Sequence, residues 1–291
     1  DKLKFNPALI RRCMYRPYTM QYLYFDPLLV HRRYRQHELF PTPASEQENR
    51  AIALTNQGSE KPFFPIIVSS LCDLHLVGAG AGSQCFPYYA YTVDGLKRRE
   101  AITDDALASF RKHYGDKKIT KWDIFHYIYA VLHHPLYQSS FAEALKRDLP
   151  RIPFAPDFKA FAKAGAALAE LHIGYEDLEP WPLEWVQNKS ERLSYCVGEK
   201  MRLSKTKQDL WVNSSLTLAG IPPEALQYRM GNRSPLEWLI DQYHVTEDTR
   251  SSIKFDPNRK DDKEYVIGLV GKIIRLSVES YKMLAGLPSF S

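Results

Sequence analysis

The 291-residue sequence has no apolar run approaching the ~18 residues that cross a bilayer, and it opens with no signal-peptide pattern. No membrane partner is expected. The chain begins at Asp1 rather than Met and is expected to be a segment of a longer polypeptide. Cysteine is scarce: Cys13, Cys72, Cys85 and Cys196 lie far apart and form no Cys-x-x-Cys pair. A structural zinc site needs closely paired ligands, so none is expected, and sparse cysteine suits a reducing, cytoplasmic compartment. The histidines, including adjacent His133 and His134, never take the His-Glu-x-x-His spacing of a zinc peptidase.

Catalytic signatures are missing as well. There is no Gly-Lys-[Ser/Thr] phosphate loop and no Gly-x-Ser-x-Gly nucleophile elbow. The amine-holding [ND]PP[YFW] tetrapeptide of an amino-methyltransferase is not matched by FNPAL (5–9), which lacks the second proline and the aromatic. A metal-dependent nuclease needs clustered carboxylates and a lysine. Asp157 in APDFKAF reads instead as a helix cap, and DDKEY (261–265) as a solvated charge run. The chain by itself is not expected to be an enzyme, and no cofactor or metal is expected in it.

What is present is a globular balance of 44% hydrophobic and 25% charged residues, in a length that suits one large domain or two modest ones. The net charge of +5 is uneven. Residues 1–43 hold eight Lys or Arg against three acids, so this segment carries the whole surplus. Its arginines alternate with Tyr15, Tyr18, Tyr22, Tyr24 and Tyr34. Guanidinium pairs with phosphate while tyrosine covers sugar or base, which suits a polyanion. An arginine-rich interface to a neighbouring domain gives the same composition, and charge alone does not separate the two.

The periodicities predict an α+β fold: short-stranded β regions, a helical layer and a long C-terminal helix. A basic aromatic segment (1–43) precedes a β-rich region (50–93) made of RAIALTN, FFPIIVSS, DLHLVG and FPYYAYTV. Helices follow over 103–173: one from Thr103 to a glycine stop after Tyr114, one begun by Thr120 or Asp123, one from Pro135 to Pro150, and one over 157–172. A mixed region (195–288) carries strands at KMRL, LWVN and LTLAG, a helix capped by Ser234 with Pro235 in its first turn, a charged loop (246–262) and the last helix. The stretch GAGAG (78–82) invites a cofactor reading. A cofactor loop opens directly into a helix, whereas these glycines run into β-like SQCFPYYAY, so they are expected only to shape a loop between strands.

Several phrases together carry a resemblance. YRPYTMQYLYFD resembles the YRPFxxRxxYY element that follows the catalytic core of large adenine-N6 methyltransferases. DLHLVGAGAGSQCFPYYAY resembles the PDLHxxGxGxQCFPxYxY segment of type ISP restriction–modification enzymes, and RDLPRIPFAPDF, YEDLEPWPLE and GIPPEALQYRMGNRSPLEWLIDQYHV continue it in order, over about residues 9–288. Two departures stand out: Gln21 and Tyr18 replace a basic residue and Phe of the first element, and the glycine unit is doubled.

The resemblance implies the C-terminal target-recognition domain of a single polypeptide that also carries nuclease, helicase-like motor and methyltransferase. Its partners would be double-stranded DNA and the methyltransferase domain; S-adenosylmethionine, ATP and Mg would be held elsewhere in the parent. It would present DNA for adenine methylation and license the motor and nuclease. Expected phosphate contacts are Arg11, Arg12, Arg16, Lys205, Lys207, Arg229 and Arg233; expected base readers on loops are Asn56, Gln57, Gln208, Asn213 and Ser214. Arg233 has a second reading, support for the start of the following helix. The alternative for the whole chain is a module that docks on the methyltransferase without reading bases.

Overall fold

The computed structural model describes residues 4–78 and 80–290, so Asp1 and Lys2 of the basic segment and Ala79 of the glycine stretch lie outside the described residues. The chain is α+β and divides into two compact units, one running to Ile173 and taking in the last residues from Gly286, the other spanning Gly174–Ala285. The division falls at the end of a helix, not at the change of composition near residue 43. The basic segment instead packs within the first unit, since its first strand pairs with one formed by Leu71–Cys72.

In the first unit, β1 (Ile10–Arg16) and β2 (Thr19–Tyr24) form an antiparallel hairpin. Its turn is made by Pro17 and by buried Tyr18 at φ 57°. Short helices α1 (Gln36–Leu39) and α2 (Pro43–Glu48) follow, the second closed by a capping box between Thr42 and Ser45. Strands β3 (Ala51–Thr55) and β4 (Pro65–Val68) are buried throughout, as their unbroken apolar runs require, and β5 (Leu71–Cys72) joins the hairpin. With β6 (Ser83–Pro87) they build a three-stranded antiparallel sheet in the order β4-β3-β6. A second hairpin pairs β7 (Tyr89–Tyr91) with β8 (Arg98–Glu100).

The expected strand over 73–78 is a set of turns instead. Asp73 Oδ1 accepts from the His75 N–H (2.8 Å) and from Arg16 (2.9 Å), and this side-chain bond competes with extended pairing.

The helical layer comprises α3 (Asp104–Tyr114), α4 (Lys121–His133), α5 (Pro135–Ser140), α6 (Ala142–Arg147) and α7 (Phe158–Ile173). Thr103 caps α3 and left-handed Gly115 ends it, while Thr120 and Asp123 form a capping box on α4. The helix expected from Pro135 to Pro150 is two helices broken at Phe141. Helices α4 and α7 approach so closely that a Cβ on Gly165 would stand 1.8 Å from the His126 carbonyl oxygen. His133 and His172 are buried where these helices meet, with Tyr129 Oη 2.6 Å from His172 Nδ1. Burial disfavours the charged imidazole, holding His133 down to about 3 and His172 well below the ordinary histidine range.

The second unit has a four-stranded antiparallel sheet. Its strands are β9 (Glu184–Gln187), β10 (Arg202–Leu203), β11 (Asp209–Trp211) and β12 (Leu216–Ala219), in the order β10-β11-β12-β9. Helices α8 (Glu224–Gln227) and α9 (Pro235–Gln242) follow, the latter carrying a Ser234–Glu237 capping box. The charged loop contains a short hairpin, β13 (Thr246–Glu247) with β14 (Lys254–Phe255). Helix α10 (Tyr265–Ala285) supplies the apolar spine, including buried Val266, Leu269, Val270, Ile273, Ile274 and Leu276. Among the described residues no helix is long and apolar enough to cross a membrane.

Candidate nucleic-acid interface

In the first unit the hairpin carries the expected phosphate contacts, and the structure separates them. Arg11 is only 6% exposed: its Nε donates to Glu46 Oε1 at 2.9 Å, its Nη2 to the same carboxylate, and Nη2 also to the Phe40 carbonyl at 3.1 Å. The guanidinium ties β1 to α2 and the chain ahead of it. Burial raises the Glu46 carboxyl above its ordinary range even though Arg11 and Arg12 pull it down. Arg16 is held by Asp73 at 2.9 Å and lies over the Tyr15 ring at 4.1 Å. Arg12 alone of the three is exposed, directly across the ladder from Tyr22. Beside the hairpin, residues 25–36, strand β5 with the turn that follows it (71–74) and strand β6 (83–86) border a groove of about 630 Å3.

Asn56 and Gln57 sit exposed in the turn after β3. The Asn56 Oδ1 accepts from Gln84 Nε2 (2.8 Å) and from the Gln57 N–H (3.0 Å), which leaves Gln57 with the freer side chain. The glycine stretch beside them leads into β6, antiparallel to β3. Among the described residues, strand and not helix follows it.

In the second unit the candidates converge. The loop between β10 and β11 carries Lys205, Lys207 and Gln208, all exposed, with Lys207 at φ 60°. Lys207 Nζ is 3.4 Å from Glu237 Oε1, and Arg229 Nη1 is 3.5 Å from Glu237 Oε2. One turn further along α9, Asp241 takes both Arg233 (2.7 Å) and Lys200. Two carboxylates thus serve four cations, and Lys205 has no acidic partner among the described residues. Burial would raise Glu237 and Asp241, but the surrounding cations and, for Glu237, the Ser234 N–H outweigh it and hold both low. Both are ionised at neutral pH, and the cluster keeps a surplus positive charge. Arg233 also lies over the Trp238 ring (4.9 Å) on α9.

Asn213 is spent on structure. Its Nδ2 donates to the carbonyls of Ser194 (2.9 Å) and Cys196 (2.8 Å), and its Oδ1 accepts from the N–H groups of Ser215 and Leu216. Ser214 next to it is exposed, with its carbonyl accepting from Asn188 Nδ2 at 3.1 Å.

Sequence reasoning missed a row across this sheet. The ladder register aligns Arg202, Trp211, Thr217 and Val186 side by side. Trp211 is 52% exposed in that row, between exposed Arg202 and half-buried Thr217. Strand alternation could have found it, because Leu210 and Leu218 face the core and their neighbours must face out.

The family model for the Type ISP C-terminal specificity domain matches residues 1–269. The chain belongs to that family. As a Type ISP specificity domain it shares its fold with three solved structures. A DrdV–DNA complex determined by cryo-electron microscopy matches at TM-score 0.88 and 35% identity over 99% of this chain and 29% of that one. A nuclease-deletion mutant of the Type ISP restriction–modification enzyme LlaGI, in complex with a DNA substrate mimic, matches at 0.83 and 31% over 100% of this chain and 26% of that one. The ATP-dependent Type ISP restriction–modification enzyme LlaBIII bound to DNA matches at 0.86 and 28% over 100% of this chain and 19% of that one. The specificity domain therefore spans less than a third of each of these chains. No curated protein sequence matches it.

Proposed function

We propose that this specificity domain binds double-stranded DNA and reads a short asymmetric target for a Type ISP restriction–modification enzyme. The reading is supported by its likeness, along essentially the whole chain, to three proteins solved with DNA or a DNA mimic. The surplus cations about α9 fit it. Lys205, Lys207, Arg229 and Arg233 would neutralise phosphates, and Gln57, Gln208 and Ser214 are the loop side chains left to reach base edges. Arg11 and Asn213 would act by holding the scaffold.

In the parent polypeptide, recognition would present one adenine to an adenine-N6 methyltransferase and license the motor and nuclease, in the cytoplasm. S-adenosylmethionine, ATP and Mg would be bound by those other parts. Exposed Phe5 (72%) and Leu28 (81%), beside exposed Leu29, would meet the methyltransferase part.

Titrating a fluorescent duplex with the chain over a salt series tests the DNA-binding reading. The logarithm of the binding constant should fall linearly with the logarithm of salt, with a slope of several units, about 0.9 for each phosphate neutralised. Absence of binding, or binding indifferent to salt, would contradict it and favour a module that only docks on its neighbour.

A further inference from the structure

The groove beside the first hairpin is unused by the proposed phosphate contacts, and its lining is unusual. Its 630 Å3 lies within the range of small-ligand sites. Five aromatic residues line it, and three of them are exposed: Tyr22 (78%), Tyr34 and Phe86. Among the described residues none of these three stacks on another ring, which leaves them available to a base. Tyr34 also holds φ 46°, a left-handed backbone that is unfavourable for a non-glycine residue and that gathers at binding sites.

The charge of the groove is one-sided. Arg32 and Arg33 line it, and neither has an acidic partner among the described residues; Arg33 rests over Phe25 at 5.8 Å. The one carboxylate in the lining, Asp73, is already taken by Arg16. Gln21 adds an amide that can both donate and accept. Open π faces, guanidinium groups without a counter-ion and an amide form the set that holds an unstacked base and the phosphates on either side of it. A docking protein segment without carboxylates would cover the rings but leave both arginines unanswered.

We infer that this groove holds one nucleotide displaced from the duplex stack, its base against Tyr22 and Tyr34 and its flanking phosphates on Arg32 and Arg33. The inference rests on the reading of the chain as DNA-binding. Displacement costs the energy of unpairing and unstacking, which a bulged nucleotide has already lost.

The test compares two duplexes of the same sequence on the full 291-residue chain, one fully paired and one carrying a single unpaired 2-aminopurine. The bulged duplex should bind about tenfold more tightly, with its emission quenched by stacking. Tyr22→Ala and Arg32→Ala, both at exposed positions and checked for an unchanged melting temperature, should bring the two affinities to within about twofold of each other, since aromatic stacking and phosphate pairing supply the preference. Paired and bulged duplexes bound equally by the unaltered chain would overturn the nucleotide site, leave the DNA-binding reading intact and assign the groove to a protein neighbour. A preference that survives both substitutions would also overturn it. Failure to bind either duplex would overturn both readings.

Discussion

Replacing Glu237 with glutamine should strengthen DNA binding although it removes two ion pairs. The carboxylate stands 3.4 Å from Lys207 Nζ and 3.5 Å from Arg229 Nη1, and those side chains are about half exposed. Pairs that exposed contribute only ~0.2–1 kcal/mol each to stability. Glu237 Oε2 also accepts from the Ser234 N–H (2.9 Å), closing the capping box of α9. Glutamine can make the same reciprocal bond, so the helix start is kept. With the carboxylate neutral, a phosphate no longer competes for Lys207 and Arg229. The recovered energy is of the same ~0.2–1 kcal/mol per pair, so the two pairs together amount to about two- to thirtyfold tighter binding. The salt slope should steepen by as much as about 0.9 for each cation released. Fluorescence anisotropy over a salt series measures both quantities, with thermal melting as the control for folding. Lys205→Ala is the converse: it removes a cation with no carboxylate to satisfy, so the slope should shrink by about 0.9. Binding that is unchanged or weaker in Glu237→Gln at unchanged melting temperature would refute the assignment of this cluster to phosphate.

Three further outcomes follow from the scaffold. Arg11→Ala strands the part-buried Glu46 and frees two backbone carbonyls, so stability in urea should drop by about 3–5 kcal/mol; a loss under about 1 kcal/mol would mean the pair is not structural. Gly165→Ala drives a Cβ into the His126 carbonyl and should cost at least ~1–3 kcal/mol, read as a lowered urea midpoint, whereas a neutral effect would show that α4 and α7 can part freely. Stability should also depend on pH through His133 and His172. Both are held below the ordinary histidine value in the fold, so the unfolded chain takes up protons first as pH falls. Stability is then constant above about pH 7 and declines from about 6.5 towards 3, by up to ~1.4 kcal/mol per pH unit for each histidine. A melting temperature that stays flat between about pH 7 and 5 would contradict that.

Helices α3, α4 and α9 were legible because their signals are local. Thr103, Thr120 and Ser234 cap where the sequence places a cap, and Gly115 stops α3 after Tyr114. Strand β9 was not legible, since Glu184–Gln187 is exposed along its length and exists only by pairing with β12, about thirty residues away. The same limit governs the candidate site. Composition points to the first 43 residues, but it does not tell which guanidinium meets a carboxylate. Arg11 finds Glu46 thirty-five residues on and Arg16 finds Asp73 fifty-seven on, while Arg32 and Arg33 find none among the described residues. Asn213 resembles a base reader by residue type, and only the fold reveals the turn that consumes its amide. The Trp211 row needed the ladder register before its neighbours could be named.

The proposed function requires that this domain itself read DNA sequence. Selecting random duplexes on the purified chain at moderate salt, then sequencing the bound fraction, addresses it most directly. One enriched asymmetric motif is the expected result, with enrichment reduced when the exposed loop residues Gln57 and Gln208 are replaced by alanine. Salt-sensitive retention of all sequences alike would contradict the claim, leaving the chain a holder of phosphates whose readout lies elsewhere in the polypeptide.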